Sequence, residues 1–194
     1  MKQLLAICLT ILGLGLSISA QEHTRRPPVA PAPATRPTPA PTPGIDPAGW
    51  ELFNSASGRF SVLVPEIPEE KVETTPSEHG PYTTHLFIVR NDTQVFLIGW
   101  VDYDVSFNFN RQDELVANRD NFVKGVSATL TSTRALQLDG YSAIEFTADT
   151  PDRTFKSRVY MVGRRPYQIV IGYPKGDEDL VATNRFFNSF KVKR

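Results

Sequence analysis

The sequence is short of the residues from which reaction centres are usually built. It holds one cysteine, Cys8, in 194 residues, and that cysteine lies inside an N-terminal apolar run. If the run is removed on export, the remaining chain has no thiol, so disulfides and cysteine nucleophiles are excluded together. Histidine is also scarce: His23, His79 and His85 are all there is. They form no pair at helical spacing and no His-x-His, whereas zinc and other transition metals need clustered ligands. Glycines stand singly, without a phosphate-cradling loop, and no Gly-x-Ser-x-Gly elbow is present. No metal, cofactor or catalytic residue is therefore expected.

Neither sign of charge prevails. The formal net charge is zero, and from Trp50 onward 17 basic residues face 19 acidic ones. Proteins that bind nucleic acid usually present a basic face, so no nucleic-acid partner is expected. From Trp50 onward the basic clusters are Arg164-Arg165 and the terminal Lys191, Lys193 and Arg194. They read as a solvated turn and tail.

The N-terminus has the three parts of a secretory signal. Lys2 gives the positive start, residues 4–18 are almost wholly apolar, and Ser17-Ile18-Ser19-Ala20 supplies small residues before Gln21. The run is shorter than the roughly 20 residues of a membrane span. Cleavage after Ala20 is expected, giving a secreted or periplasmic protein of the cell envelope. The alternative is retention of the run as an anchor. Leu5-Ala6-Ile7-Cys8 departs from a lipidation box, because Ile precedes the cysteine and too little apolar segment comes before it.

Residues 21–49 form a proline-rich linker. Nine of the sixteen prolines fall in 27–47, alternating with small residues across 31–43. Such a composition cannot bury a core and favours polyproline II. At about 3.1 Å per residue it would reach roughly 60 Å. A spacer of that reach makes most sense with both ends held, by a retained anchor or by a partner on the free end.

Residues 50–194 are one domain's worth of chain. Strands are expected over 50–53, 60–64, 71–75, 82–90, 94–103, 128–138, 142–147, 154–162 and 167–173, with Gly58 in a turn needing unusual backbone angles. In 82–90, Leu86 and Ile88 face opposite to Phe87 and Val89. In 94–103, Phe96, Ile98 and Trp100 oppose Val95, Leu97 and Val101. Apolar residues on both faces mean a sheet covered on both sides. Helices are expected over 112–126, capped by Asn110, and over about 178–190, capped by Asp177. The fold class is α+β: an antiparallel sheet flanked by helices on both faces.

The run Gly58-Arg59-Phe60-Ser61-Val62 followed by Pro65 resembles the opening of PsbP/Mog1-like proteins and related exported bacterial proteins of unknown function. Phe186-Phe187-Asn188-Ser189-Phe190 is similar to their closing helix. The resemblance implies an antiparallel sheet sandwiched between helices. It implies no shared enzyme activity and transfers no functional residue; photosynthetic members are extrinsic subunits of a membrane complex.

Chemistry, if any, is expected at Asp102-Tyr103-Asp104. Strand alternation would put Asp102 and Asp104 on one face, where paired carboxylates could bind calcium or serve a glycosidase. The competing reading is a strand end turning polar at solvent. Phe107 and Phe109 follow, either as an aromatic lip or folded under the helix, the latter favoured. His85 should pack beside Trp100 rather than act as a base. The expected function is a non-catalytic binding or assembly domain with an envelope protein partner. A small-ligand-binding periplasmic protein is the alternative, and a carboxylate-dependent hydrolase the third reading.

Overall fold

The computed structural model describes residues 49–193. The expected signal segment 1–20 and all of the proline-rich segment except Gly49 lie outside the described residues. Ten strands and two helices follow in the order β1 (Glu51–Ser55), β2 (Phe60–Val64), β3 (Glu69–Thr75), β4 (Tyr82–Arg90), β5 (Val95–Tyr103), α1 (Arg111–Gly125), β6 (Thr129–Leu138), β7 (Tyr141–Asp149), β8 (Arg153–Val162), β9 (Arg165–Pro174), α2 (Leu180–Ser189) and β10 (Lys191–Val192). The large sheet has seven strands in the order β3-β4-β5-β9-β8-β7-β6, and every pairing described is antiparallel. The chain leaves β5, passes through α1 and a three-strand meander, and returns as β9 beside β5.

Apolar residues on both strand faces produce two cores. Phe87, Phe96, Ile98, Trp100, Tyr167, Ile169 and Ile171 belong to one. Leu97, Ile144, Phe146, Val159 and Val170 belong to the other. The alternation across β4 and β5 is therefore the one the sequence predicts.

The expected cover of helices on both faces holds only in part, because the structure is dominated by sheet. On one face, α1 packs over β7, β8 and β9 through the buried Leu115 and Phe122. The other face is shared by α2 and a second sheet of three strands, β1-β2-β10. β10 has two residues, paired with Ser61 and Phe60 of β2. The ring of Phe60, fully buried, meets Phe53, Phe87, Trp100, Tyr167 and Phe190. Burying one such ring stabilises the fold by about 2–3 kcal/mol.

Local signals explain the element ends. Asn110 caps α1 as expected, its Oδ1 accepting from the backbone of Gln112 at 2.8 Å and Asp113 at 3.4 Å. α2 begins later than expected. Its cap is Asp179, not Asp177, and Oδ1 of Asp179 accepts from Val181 and Ala182 at 2.9 Å each. In the β1–β2 turn the left-handed residue is Arg59, at φ +50, not Gly58. Gly58 is needed for space: a Cβ there would sit 2.5 Å from the Phe60 ring and 2.8 Å from Ser55 Oγ.

Candidate functional site

The sequence directs attention to the end of β5, and the structure builds a polar cluster there. Asp102 lies opposite Thr83 of β4, and His85 opposite Trp100. The indole Nε1 of Trp100 donates to Asp102 Oδ2 at 3.1 Å. Arg165, at the start of β9, brings Nε to 2.6 Å and Nη2 to 2.5 Å of Asp102 Oδ1. The same guanidinium donates through Nη1 to the Ser57 carbonyl at 3.0 Å and to the Tyr167 hydroxyl at 3.3 Å. It also lies over the Trp100 ring, 5.7 Å from its centroid. Burial opposes the charge on Arg165, but the contacts with Tyr167 and Asp102 outweigh it and raise its pKa further. Both Asp102 oxygens are thus held by donors that belong to the fold.

His85 completes this cluster. Its Nε2 is 3.6 Å from Asp102 Oδ2 and its Nδ1 is 3.7 Å from Glu70 Oε1 on β3. Nδ1 is buried and makes no hydrogen bond. The ring is held by packing on Trp100.

Asp104 does not join Asp102. β5 ends at Tyr103, and the alternation that would align the two carboxylates ends with it. Asp104 opens a turn in which its Oδ1 accepts from the Ser106 backbone at 2.9 Å and the Ser106 hydroxyl at 2.7 Å. Those donors lower its pKa. Phe107 is buried against Tyr82, Tyr103 and His79. Phe109 is half-buried beside Tyr103. Neither makes an exposed lip.

The solvated-turn reading of Arg164-Arg165 holds for Arg164, which is exposed in the turn, but not for Arg165, which is half-buried at the start of β9. Both side chains nonetheless reach across to other elements. Arg164 Nη2 donates to the carbonyls of Phe107 at 2.6 Å and Asp104 at 3.1 Å, and its guanidinium lies over the Phe109 ring. The β8–β9 turn therefore pins the loop after β5 while its second arginine secures Asp102.

Two further features carried no sequence signal. Glu114 of α1 is 8% exposed. It accepts from the Tyr103 hydroxyl and, at 2.8 Å, from Asn118 Nδ2. Burial raises its pKa despite those donors, and burial with the adjoining Glu114 raises Tyr103. In sequence Glu114 is indistinguishable from an ordinary first-turn acid. The second feature is an apolar groove of about 290 Å³ on the α1 face, floored by β4 and β5. Among the described residues, no three His, Cys, Asp or Glu side chains gather as a metal site. Among them too, no helix is long and apolar enough to cross a membrane.

No family model matches the chain and no curated protein matches it. Solved structures do. The solution structure of cyanobacterial PsbP (CyanoP) from Synechocystis sp. PCC 6803 superposes with a TM-score of 0.54 at 12% identity, covering 79% of this chain and 98% of that one. A crystal structure from Bacteroides thetaiotaomicron VPI-5482 gives a TM-score of 0.34 at 16% identity, covering 74% and 48%, too distant to argue from. At such identities likeness concerns shape alone, and the shape of this domain is that of the PsbP-like fold.

Proposed function

We propose that this is a non-catalytic binding or assembly domain of the cell envelope, exported and carried on a proline-rich stem. One observation carries the reading. Asp102, the carboxylate best placed for acid–base work, has Oδ1 held by Arg165 and Oδ2 by Trp100. A general base must reach the proton it removes, and an inverting or retaining glycosidase needs a second carboxylate across the bond. Asp104 is turned instead onto Ser106. Export is supported by Lys2, the apolar run 4–18 and the small residues before Gln21. The PsbP-like fold supplies a scaffold and no activity.

A second reading, a small-ligand-binding periplasmic protein, is favoured by the groove on the α1 face. The two readings differ in what the domain holds, not in whether it reacts.

Cell fractionation with N-terminal sequencing tests export: a chain starting at Gln21 in the envelope or medium is expected, and an intact Met1 in the cytosol would reject it. Capture from envelope extract with residues 21–194 and with 45–194 then tests binding. A partner retained by both places recognition in the domain, and one lost with the stem moves it there. The double variant Asp102→Asn, Asp104→Asn should keep that partner. Turnover of any glycoside by the wild type that the double variant loses would establish the hydrolase instead.

A further inference from the structure

α1 does not cover the whole of its face of the large sheet. It packs mainly over β7, β8 and β9, and beside its C-terminal end a groove remains over β4 and β5, where Leu86 and Ile88 are half-buried and Leu97 is buried. Strand alternation puts Leu86, Ile88 and Arg90 of β4 on this face, with Val95 and Leu97 of β5. With Val126, the C-cap of α1, and Phe155 of β8 they line the groove of about 290 Å³. Its shape depends on Gly172 of β9. A Cβ there would meet the Phe155 ring at 2.7 Å and Val95 Cγ1 at 2.8 Å. Both side chains lie down over bare backbone and leave the space above them free.

The polar groups at one end of the groove are not all used. Gln94 is 8% exposed and lines the groove. Its side-chain amide has no hydrogen-bond partner among the described residues. The amide is not sealed from solvent, since the buried side-chain groups without a partner among the described residues are His85 Nδ1 and Thr183 Oγ1, so it is open to a ligand entering the groove. Arg90 is exposed, lies opposite Val95 across the hairpin, and pairs with no acid among the described residues. Arg153 also lines this end, with Nη2 donating to the Thr93 carbonyl at 2.9 Å. Asp92, at the tip of the turn, is the one carboxylate in the lining. Two guanidiniums against one carboxylate leave the mouth positive.

We propose that the groove binds an amphipathic anion, a single alkyl chain ending in a carboxylate. The chain lies along Leu86, Ile88 and Leu97 under Val126, and the carboxylate meets the Arg90 guanidinium and the Gln94 amide. Apolar walls with a few convergent polar groups are the usual make-up of a small-molecule site, and this volume is at the lower end of such sites. A charged head on a free guanidinium supplies orientation, because Arg–carboxylate pairing is bidentate and directional. The inference rests on the binding reading above and names the ligand class for it.

Calorimetric titration of the full chain with straight-chain carboxylates of roughly six to twelve carbons tests the site. Affinity should rise about fourfold per methylene until the groove is full. Alcohols of equal length should bind about tenfold more weakly. Arg90→Leu should erase that tenfold preference while keeping the chain-length slope. Ile88→Glu should abolish binding, with circular dichroism confirming that the variant folds. Affinity independent of chain length overturns the site, as does carboxylate preference surviving in Arg90→Leu. If no carboxylate binds but an envelope protein is captured and then lost in Ile88→Glu, the groove is a protein-docking surface. The ligand assignment then falls while the binding reading stands. If neither binds, both fall.

Discussion

The imidazole of His85 lies flat on the indole of Trp100, with centroids 4.2 Å apart and planes 5° from parallel. The stack follows from register, since the two residues face each other directly across β4 and β5. It turns the indole N–H toward Asp102, which Arg165 then grips from β9. A chain of contacts thus links β3, through Glu70, to β9, and joins the large sheet to the β1–β2 turn through Ser57.

Arg165 should be the costliest member of that chain to remove. Arg165→Met deletes hydrogen bonds to Asp102, Ser57 and Tyr167. A loss of about 2 kcal/mol is expected in urea unfolding. Asp102→Asn should cost less, about 0.5–1 kcal/mol, because the Asp102 side chain is 41% exposed and water screens the pair. Equal midpoints for Arg165→Met and wild type would show that the grip adds nothing to stability.

The β1–β2 turn offers a pair of neighbouring substitutions with opposite signs. Gly58→Ala drives a methyl into the Phe60 ring, which is fully buried and has no room to yield. A loss of about 2 kcal/mol is expected. Arg59 is exposed and left-handed at φ +50, a conformation that costs a residue with a Cβ about 1 kcal/mol. Arg59→Gly should therefore be neutral to about 1 kcal/mol stabilising. Thermal melts of the two variants settle the order, and a stable Gly58→Ala protein would refute the steric account.

Strand faces were legible in the sequence because alternation is local: Leu86 and Phe87, or Phe96 and Leu97, declare their sides without any partner in view. The Asn110 cap was legible for the same reason. The second sheet was not, since β10 is two residues long and pairs with β2, about 130 positions earlier in the chain. Arg164-Arg165 looked like a solvated turn because a basic dipeptide between strands carries no mark of what it will reach. Its targets, Asp102 and the Phe107 carbonyl, are about 60 residues away. The groove was invisible because it exists only where α1 fails to cover β4 and β5. The carboxylate pair failed on one residue: β5 stops at Tyr103 and Asp104 falls outside its alternation.

The helix caps give a further test, because Asp177 and Asp179 are equivalent on sequence grounds. Only Asp179 accepts from the first-turn amides of α2. Asp179→Ala should cost about 1 kcal/mol. Asp177→Ala should leave stability within about 0.5 kcal/mol of wild type, as surface changes away from such features do. Chemical denaturation of both variants distinguishes them, and reversed magnitudes would place the cap two residues earlier.

Two glutamates should give stability opposite dependences on pH. Burial raises the pKa of Glu114 in the folded state. Its contribution is therefore full below the ordinary carboxylate value of about 4.3 and is lost as pH rises through the raised value. Glu114→Gln keeps an oxygen for Tyr103 and Asn118 but cannot ionise. The variant should match or exceed wild type at neutral pH and lose that advantage in acid. Glu145 runs the other way. Burial pushes it up, but the hydrogen bonds and charges of Arg158 and Arg134 outweigh burial and hold it below the ordinary range. Its contribution is present above about 4.3 and is lost as pH falls through the lowered value. Glu145→Gln should therefore be weaker than wild type at neutral pH, with the gap closing in acid. Urea midpoints of the three proteins across the acid range measure both trends. Parallel curves for Glu114→Gln and wild type would mean that Glu114 titrates alike in the folded and unfolded chains, and the buried carboxylate would then cost the fold nothing.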